Sequence, residues 1–298
     1  MNWPKAKRSW PGPHPPLPAC PKTYSQGPVE TPARRKGTPM KEPTHNSIRL
    51  WAVAVWLLVW QGGSMLLARK LPNAHLLLPS PLSALRCLGE MACTGGFWRA
   101  IGWSALRIFG GFFAACLAAS ALAVPAYRFR AVREFLAPAV AAIKAVPVAS
   151  FIILALVWLN SRQLSFFISF LMVFSPIYLG VLTGIGQTDR QLLEMAKVYR
   201  VPFFRQVRYL YLPAIAPHFR SAVSLGLGLC WKAGIAAEVI GLPDGSLGEK
   251  LYMAKVYFMT PELFAWTAVI VGVSVVFEKL FLRLLDEGLR KAGALRAR

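Results

Sequence analysis

Long apolar stretches constrain this sequence more than any other feature. A hydrophobic helix needs roughly 20 residues to cross a bilayer, and hydropathy identifies six stretches of this kind: residues 50–68, 101–124, 135–159, 164–185, 219–242 and 263–285. Hydrophobic residues make up 55% of the chain and charged residues only 16%, so the apolar surplus must face lipid. The sequence therefore predicts an all-α membrane protein with about six transmembrane helices. The third and sixth stretches are the least regular, because Pro138, Lys144 and Pro147 interrupt the third and charged residues lie near the end of the sixth. Between the first two stretches, the segment LLPSPLSALRCLGEM predicts a turn at Pro79 to Pro81 followed by a short helix.

The first 48 residues have a different composition, with frequent prolines and short clusters of lysine and arginine. A segment of this kind has too little apolar surface to build a core. We expect residues 1–48 to be a disordered, Pro-rich basic arm, followed by a transmembrane domain at residues 49–298.

The net charge of +21 is distributed unevenly. Basic residues concentrate in the connections around residues 128–133 and 188–220 and at the C-terminus, whereas the other connections are nearly balanced. Cytoplasmic loops of membrane proteins carry such an excess of lysine and arginine. We therefore predict a multi-pass inner-membrane protein with both termini and the 188–217 segment in the cytoplasm. This topology accounts for the charge without a nucleic-acid partner.

Known signatures of enzyme chemistry are missing from the sequence. The histidines are scattered, and no HExxH, CxxC or other metal-ligand spacing occurs, so we expect no catalytic residues, no metal and no cofactor. The segment GLPDGSLGEK places Glu249 where a P-loop needs lysine. Cys87 and Cys93 are both expected outside the membrane, where either a disulfide or two free thiols would be possible.

Ionisable groups inside the apolar stretches are candidates for a solute path, because each is costly in hydrocarbon. Lys144, Lys232 and Glu238 qualify. The lysines could attract a passing anion, or they could snorkel to an interface or pair with Glu238. Lys232 and Glu238 are too far apart around one helix to face each other.

The polar segment at residues 188–217 predicts a helical hairpin between two apolar stretches. Thr188 and Gln191 have the capping-box spacing that starts a helix, and Pro202 suits the first turn of a second helix. Basic and aromatic residues could hold this hairpin against lipid headgroups. Its length and its prolines favour a protein partner instead.

The hairpin also resembles the cytoplasmic motif of the integral membrane permeases of binding-protein-dependent ABC importers. Glu194, Met195 and Ala196 stand at the EAA positions of that motif, and Arg200 stands where glycine is usual. Leu212, Pro213 and Pro217 match its closing Leu-Pro and trailing proline. The segments LLPSP, WKAGIAAEVIGLP and TPELFAW resemble the nitrate, sulfonate and taurine branch.

This resemblance implies a type I ABC importer permease whose hairpin is a coupling helix on a separate ATP-binding subunit. The coupling residues would be Glu194, Ala196, Arg200, Leu212, Pro213 and Pro217. The resemblance also implies a homodimer of permeases, an external solute-binding protein and a small anion as cargo. The alternative is an ion-gradient-driven transporter or channel. A second rival is a membrane enzyme or assembly scaffold, and the absence of an intramembrane cluster of acids or histidines from the sequence counts against it.

Overall fold

A computed structural model describes residues 50–70 and 78–291, and every regular element in those ranges is helical. The helices are α1 (Leu50–Lys70), α2 (Pro81–Ala92), α3 (Gly95–Arg128), α4 (Arg130–Ala145), α5 (Val148–Leu156), α6 (Ser161–Gly186), α7 (Arg190–Val198), α8 (Phe203–Gln206), α9 (Leu212–Gly241), α10 (Leu247–Val256) and α11 (Thr260–Lys291), with a π-helical turn at Val207–Tyr211 before α9. The predicted all-α class is confirmed. The predicted arm at residues 1–48 lies outside the described residues.

Within the described residues, three helical segments are long and apolar enough to cross a membrane: α3, α6 and the continuous run from Phe203 to Gly241. The pair α4 and α5 would make a fourth if both form one span. The first and last predicted stretches correspond to α1 and α11. The total of six spans stays a prediction.

The third predicted span, 135–159, is not one straight helix. Between α4 and α5 the axis bends by 107°. Pro147 causes the break, because it lacks an N–H and forces Val146 into an extended conformation with ψ 132°. Pro138, which we also expected to interrupt the span, lies inside α4 without ending it.

Helix α6 forms the centre of the bundle and packs between α3 and α9. A methyl group at Gly111 would overlap the Phe166 carbonyl, and a Cβ at Gly184 would lie 2.7 Å from Ile215 Cα. Small residues allow such close approach between membrane helices. Because the bent α4 and α5 return the chain across the bundle, α3 and α6 run in the same direction and α9 runs against them.

One end of the bundle carries α2, the short helix expected after the Pro79 turn. Ser80 caps it, accepting a hydrogen bond from the Ser83 N–H at 3.1 Å. Trp60 of α1 donates its indole N–H to the Pro79 carbonyl at 3.1 Å. Cys87 and Cys93 are both free thiols, so the structure shows the second of the two alternatives for this pair and not a disulfide.

Candidate functional site

The hairpin of residues 188–217 projects from the end of the bundle opposite α2 and α10. Its two stems are joined where Gln187 Oε1 and His218 Nε2 lie 3.3 Å apart. Ala216, just before the hairpin ends, is buried against Leu289 of α11. Both Nε and Nη2 of Arg220 donate to the Asp286 carboxylate, which fixes α9 to α11 one turn further on. The hairpin therefore stands on a rigid base.

The first hairpin helix, α7, begins one residue later than the capping-box spacing predicted. Asp189 is the N-cap, and its Oδ1 accepts a hydrogen bond from the Gln191 N–H at 2.8 Å. Thr188 is buried instead, and its hydroxyl has no hydrogen-bond partner among the described residues. The prediction that Thr188 caps this helix was wrong. Asp189 caps it instead, because its carboxylate offers a charged acceptor to the free N–H groups of the first turn.

Arg200 ends α7 in a left-handed backbone conformation with φ 48°. Its N–H donates to the Lys197 carbonyl at 3.1 Å, and the Val201 N–H donates to the Ala196 carbonyl at 2.9 Å. This pair of bonds is a Schellman motif, in which the left-handed position is usually glycine. A left-handed turn that usually contains glycine is thus formed here with arginine.

The two faces of α7 differ in burial. Ala196 is 3% exposed, so the small motif residue packs inward. Glu194 is exposed, and no ion pair of this carboxylate is found within the described ranges. At the tip, Tyr199 is 75% exposed and Phe204 is 87% exposed. The hairpin therefore offers aromatic rings and a free carboxylate to whatever lies beyond the bundle.

The second half of the hairpin leads into α9 through the π-helical turn. The Leu212 N–H donates to the Val207 carbonyl, which lies five residues back rather than four. Proline in a helix removes an N–H and crowds the carbonyl four residues earlier, and the wider turn precedes Pro213 directly. Leu212 and Pro213 are half-buried, whereas Pro217 is exposed inside α9. These three coupling candidates therefore belong to the stem, and Glu194 and Arg200 belong to the tip.

A cavity of about 770 Å³ adjoins the bend between α4 and α5. Lys144 of α4 and Lys232 of α9 both line it, together with Glu278 of α11. The rest of its lining is mainly apolar, and the cavity is only partly enclosed. Two of the three predicted solute-path residues are thus brought to one place.

Glu238, the third candidate, lies elsewhere. Its side chain is 0% exposed, and its Oε2 accepts hydrogen bonds from the Ser104 hydroxyl at 2.7 Å and the Gly248 N–H at 3.3 Å. The Ser104 oxygen in turn accepts from the Leu247 N–H at 2.9 Å. Glu238 therefore ties α3 and α10 to the end of α9, and it does not pair with Lys232.

Two charged residues that lie inside predicted spans and also line cavities did not enter the sequence-based set of candidates. Arg107 lies within the stretch 101–124, and Glu278 lies within 263–285. Both could have been found, because an ionisable group inside an apolar stretch is a functional candidate by default. As for metals, in residues 50–70 and 78–291 no three His, Cys, Asp or Glu side chains come together in a way that could hold an ion.

Comparison with known proteins agrees with this geometry. A model of the family "Binding-protein-dependent transport system inner membrane component" matches residues 108–291, which is more than half of the chain. The chain belongs to this family. It is therefore the membrane permease subunit of an ABC importer, located in the inner membrane, and its partners are a separate ATP-binding subunit and a solute-binding protein.

Relatives of this permease match most of its length. A Bacillus subtilis permease protein assigned to aliphatic sulfonates transport, SsuC, is 24% identical over 92% of this chain and 95% of its own. The taurine transport system permease protein TauC of Escherichia coli is 26% identical, over 82% of this chain and 88% of its own. The nitrate import permease protein NrtB of Synechocystis is 26% identical, over 63% and 70%.

Proposed function

We propose that this permease carries a small anion, such as nitrate, a sulfonate or taurine, along a path that includes Lys144 and Lys232. The observation that carries the proposal is that these two lysines, from α4 and α9, line one cavity. A cation is costly at membrane depth unless it serves a path or a partner. Glu278, the acid of the same cavity, accepts a hydrogen bond from Ser224 at 3.5 Å. The names of SsuC, TauC and NrtB support an anionic cargo.

We also propose that the hairpin docks on the ATP-binding subunit. Glu194 and the tip aromatics Tyr199 and Phe204 would make the contact, and the stem of Leu212, Pro213 and Pro217 would transmit movement to α9. Solvent exposure of large aromatic rings supports this, because exposed apolar patches on a rigid element are typical of protein interfaces. Ala196 supports the tip from beneath, and Arg200 fixes its turn.

The assembly proposed is a homodimer of permeases with both termini in the cytoplasm and its apolar outer surface in membrane lipid. The lysine cavity is not enclosed by the described residues of one copy, and a second copy would complete its wall. The orientation is supported by the basic residues of the hairpin, since positive charge favours the cytoplasmic side.

The path is tested by ATP-dependent uptake of labelled taurine, nitrate and methanesulfonate into proteoliposomes that contain the assembled transporter. Changing Lys144→Gln and Lys232→Gln together should raise the KM for the anion about tenfold, because charge-assisted contacts are worth roughly 1.5–3 kcal/mol. Arg69→Gln, which removes a charge at the end of α1, is the control. Unchanged uptake in the double variant would refute the path, and uptake driven by an ion gradient without the ATPase would refute the class.

Docking is tested separately by co-purification with the ATP-binding subunit in mild detergent. Phe204→Asp should release the ATPase, because the charge would be buried in an apolar contact. The matched control is Tyr257→Asp at the opposite end of the bundle, where the side chain is 68% exposed. Equal recovery of the ATPase with both variants would argue against the docking role.

A further inference from the structure

A second cavity, of about 510 Å³, lies at the end of the bundle opposite the hairpin. It is formed by the first turns of α3 and α6, the turn after α9 and the start of α10. Four basic side chains and one carboxylate line it: Arg99, Arg107, Arg162, Lys250 and Asp244. It shares no lining residue with the Lys144 and Lys232 cavity.

One face of α3 builds the wall of this basic cavity. Arg99, Trp103 and Arg107 follow one another at intervals of four residues, so they lie along one side of the helix. Gly96 and Ala100 line the cavity on the same side, and their small side chains leave it open. The Arg107 guanidinium carbon lies 6.0 Å from the centre of the Trp103 ring. The wall is therefore a basic and aromatic stripe.

The charges of the cavity are not balanced from within. Its carboxylate, Asp244, forms an ion pair with Arg162 at 3.7 Å. Arg99, Arg107 and Lys250 have no salt bridge within the described ranges, and Arg107 interacts electrostatically with the buried Glu238, which does not line the cavity. In addition, Arg107 Nη1 is buried without a hydrogen-bond partner there. A buried donor without a partner costs about 1–3 kcal/mol, and an oxygen of a bound anion would supply the acceptor.

The surroundings hold this wall in place. Ser104, one turn from Arg107 on α3, contacts both Glu238 and the Leu247 N–H. Gly245, which lines the cavity, donates its N–H to Glu249 at 2.6 Å. The elements that carry the basic residues are thus fixed to one another, which lowers the entropy cost of binding a ligand between them.

We propose that this cavity is a binding site for a free small oxyanion, separate from the lysine-lined path. Guanidinium groups match sulfonate, sulfate and nitrate oxygens with paired N–H donors. The volume of about 510 Å³ admits such an anion together with several water molecules. In the orientation proposed above the cavity faces outward, so it would hold the anion before the anion enters the path. Only this last step rests on the proposed function.

The test is isothermal titration calorimetry of the permease, co-purified with its ATP-binding subunit in neutral detergent, with methanesulfonate, sulfate and nitrate. Arg107→Gln should weaken binding of the preferred anion at least about tenfold. If the Arg107 variant fails to fold, Arg99→Gln and Lys250→Gln replace it, and each of them should weaken binding. The control Arg86→Gln removes an exposed charge on α2, outside the cavity, and should change the affinity less than about twofold.

Three more measurements distinguish a free anion in this cavity from a different ligand or a different site. The variant Lys144→Gln with Lys232→Gln should still bind the anion, so this site and the transport path can fail independently. Loss of binding in that variant with full binding in Arg107→Gln would overturn the proposal. Native mass spectrometry gives a second outcome that would overturn the proposal. In that outcome the native protein retains a phospholipid that the anions do not displace, and Arg107→Gln loses this phospholipid. If Arg107→Gln binds the anions as the native permease does but no longer captures the solute-binding protein, the cavity is a protein-docking site and the proposal is overturned.

Discussion

Arg200 occupies a conformation that glycine adopts at little steric cost. For a residue with a Cβ, the left-handed region costs roughly 1–2 kcal/mol. The cost is offset here by the two Schellman hydrogen bonds and by the burial of Ala196 beneath the turn. The left-handed turn is therefore formed without glycine, at the expense of local stability.

Changing Arg200→Gly should stabilise the turn by about 0.5–1 kcal/mol, because the steric cost exceeds the extra entropy that glycine loses on folding. Hydrogen exchange of the Val201 amide, which closes the motif, should slow in this variant. Arg200→Ala removes the same charge and keeps the Cβ, so it should leave the exchange rate near that of the native protein. Faster hydrogen exchange of the Val201 amide in the glycine variant would contradict the inference that the Arg200 backbone is strained.

Glu238 is a buried acid at the end of α9, and its carboxylate joins α9 to α3 and α10. Changing Glu238→Ala should lower the free energy of unfolding by about 3 kcal/mol, since the Ser104 hydroxyl and the Gly248 N–H would both lose their acceptor. Glu238→Gln keeps an oxygen in place and should cost only about 1 kcal/mol. Thermal unfolding in detergent measures both. Equal losses in the two variants would show that the charge, not the acceptor, matters.

At the scale of elements, close contact between helices decides which glycines are needed. Gly184 of α6 lies directly against Ile215 of α9 at the base of the hairpin. By contrast, a methyl group added at Gly272 of α11 would have no atom of the described residues within 4 Å. Glycine is thus required for close helix packing at Gly184 and is not required for it at Gly272.

Gly184→Ala should destabilise the protein by about 1–3 kcal/mol, because the added methyl group overlaps the backbone of α9. The matched substitution Gly272→Ala should be neutral or stabilising by up to about 1 kcal/mol, because alanine is the better helix former. Melting temperatures of the two purified variants decide between them. A Gly184→Ala variant as stable as Gly272→Ala would contradict the close packing of α6 on α9.

For the molecule as a whole, the hairpin and the basic cavity lie at opposite ends of the bundle, so the orientation assigns a side to each. Cys93 is exposed at the same end as the basic cavity, near the start of α3. Cys87, half-buried in α2, has a raised pKa, first because burial disfavours the thiolate and then because Glu262 and Glu90 are near. These two thiols can therefore report both sidedness and burial.

In intact cells, a membrane-impermeant maleimide should label a variant that retains only Cys93, and it should label one that retains only Cys87 much more slowly. Maleimide reacts with the thiolate, so the raised pKa leaves little reactive Cys87 at pH 7. Its labelling rate should go on rising above about pH 8.5, the ordinary thiol pKa. If Cys93 is labelled only after the cells are lysed, the proposed orientation is wrong.

Much of the fold could be predicted from the sequence, because apolar length and helix breakers act locally. The apolar stretches predicted the helices, the Pro79 turn predicted α2, and the motif around Glu194 and Pro213 predicted the family. Pro147 was recognised as an interruption, but its effect was not. Whether a proline kinks, ends or merely sits in a helix depends on the packing around it, as Pro138 and Pro147 show within one predicted span.

Only the tertiary structure decided which charged residues act together. Hydropathy marked Lys144, Lys232 and Glu238 as equals, yet packing brought the lysines to one cavity and enclosed Glu238 between α3 and α10. It also joined Arg107 to a basic cavity whose members come from four separate segments. Sequence determines where the chain enters lipid, because transfer free energy sums along a local stretch. The environment of each charge is set by contacts between distant segments, and these exist only once the helices have packed.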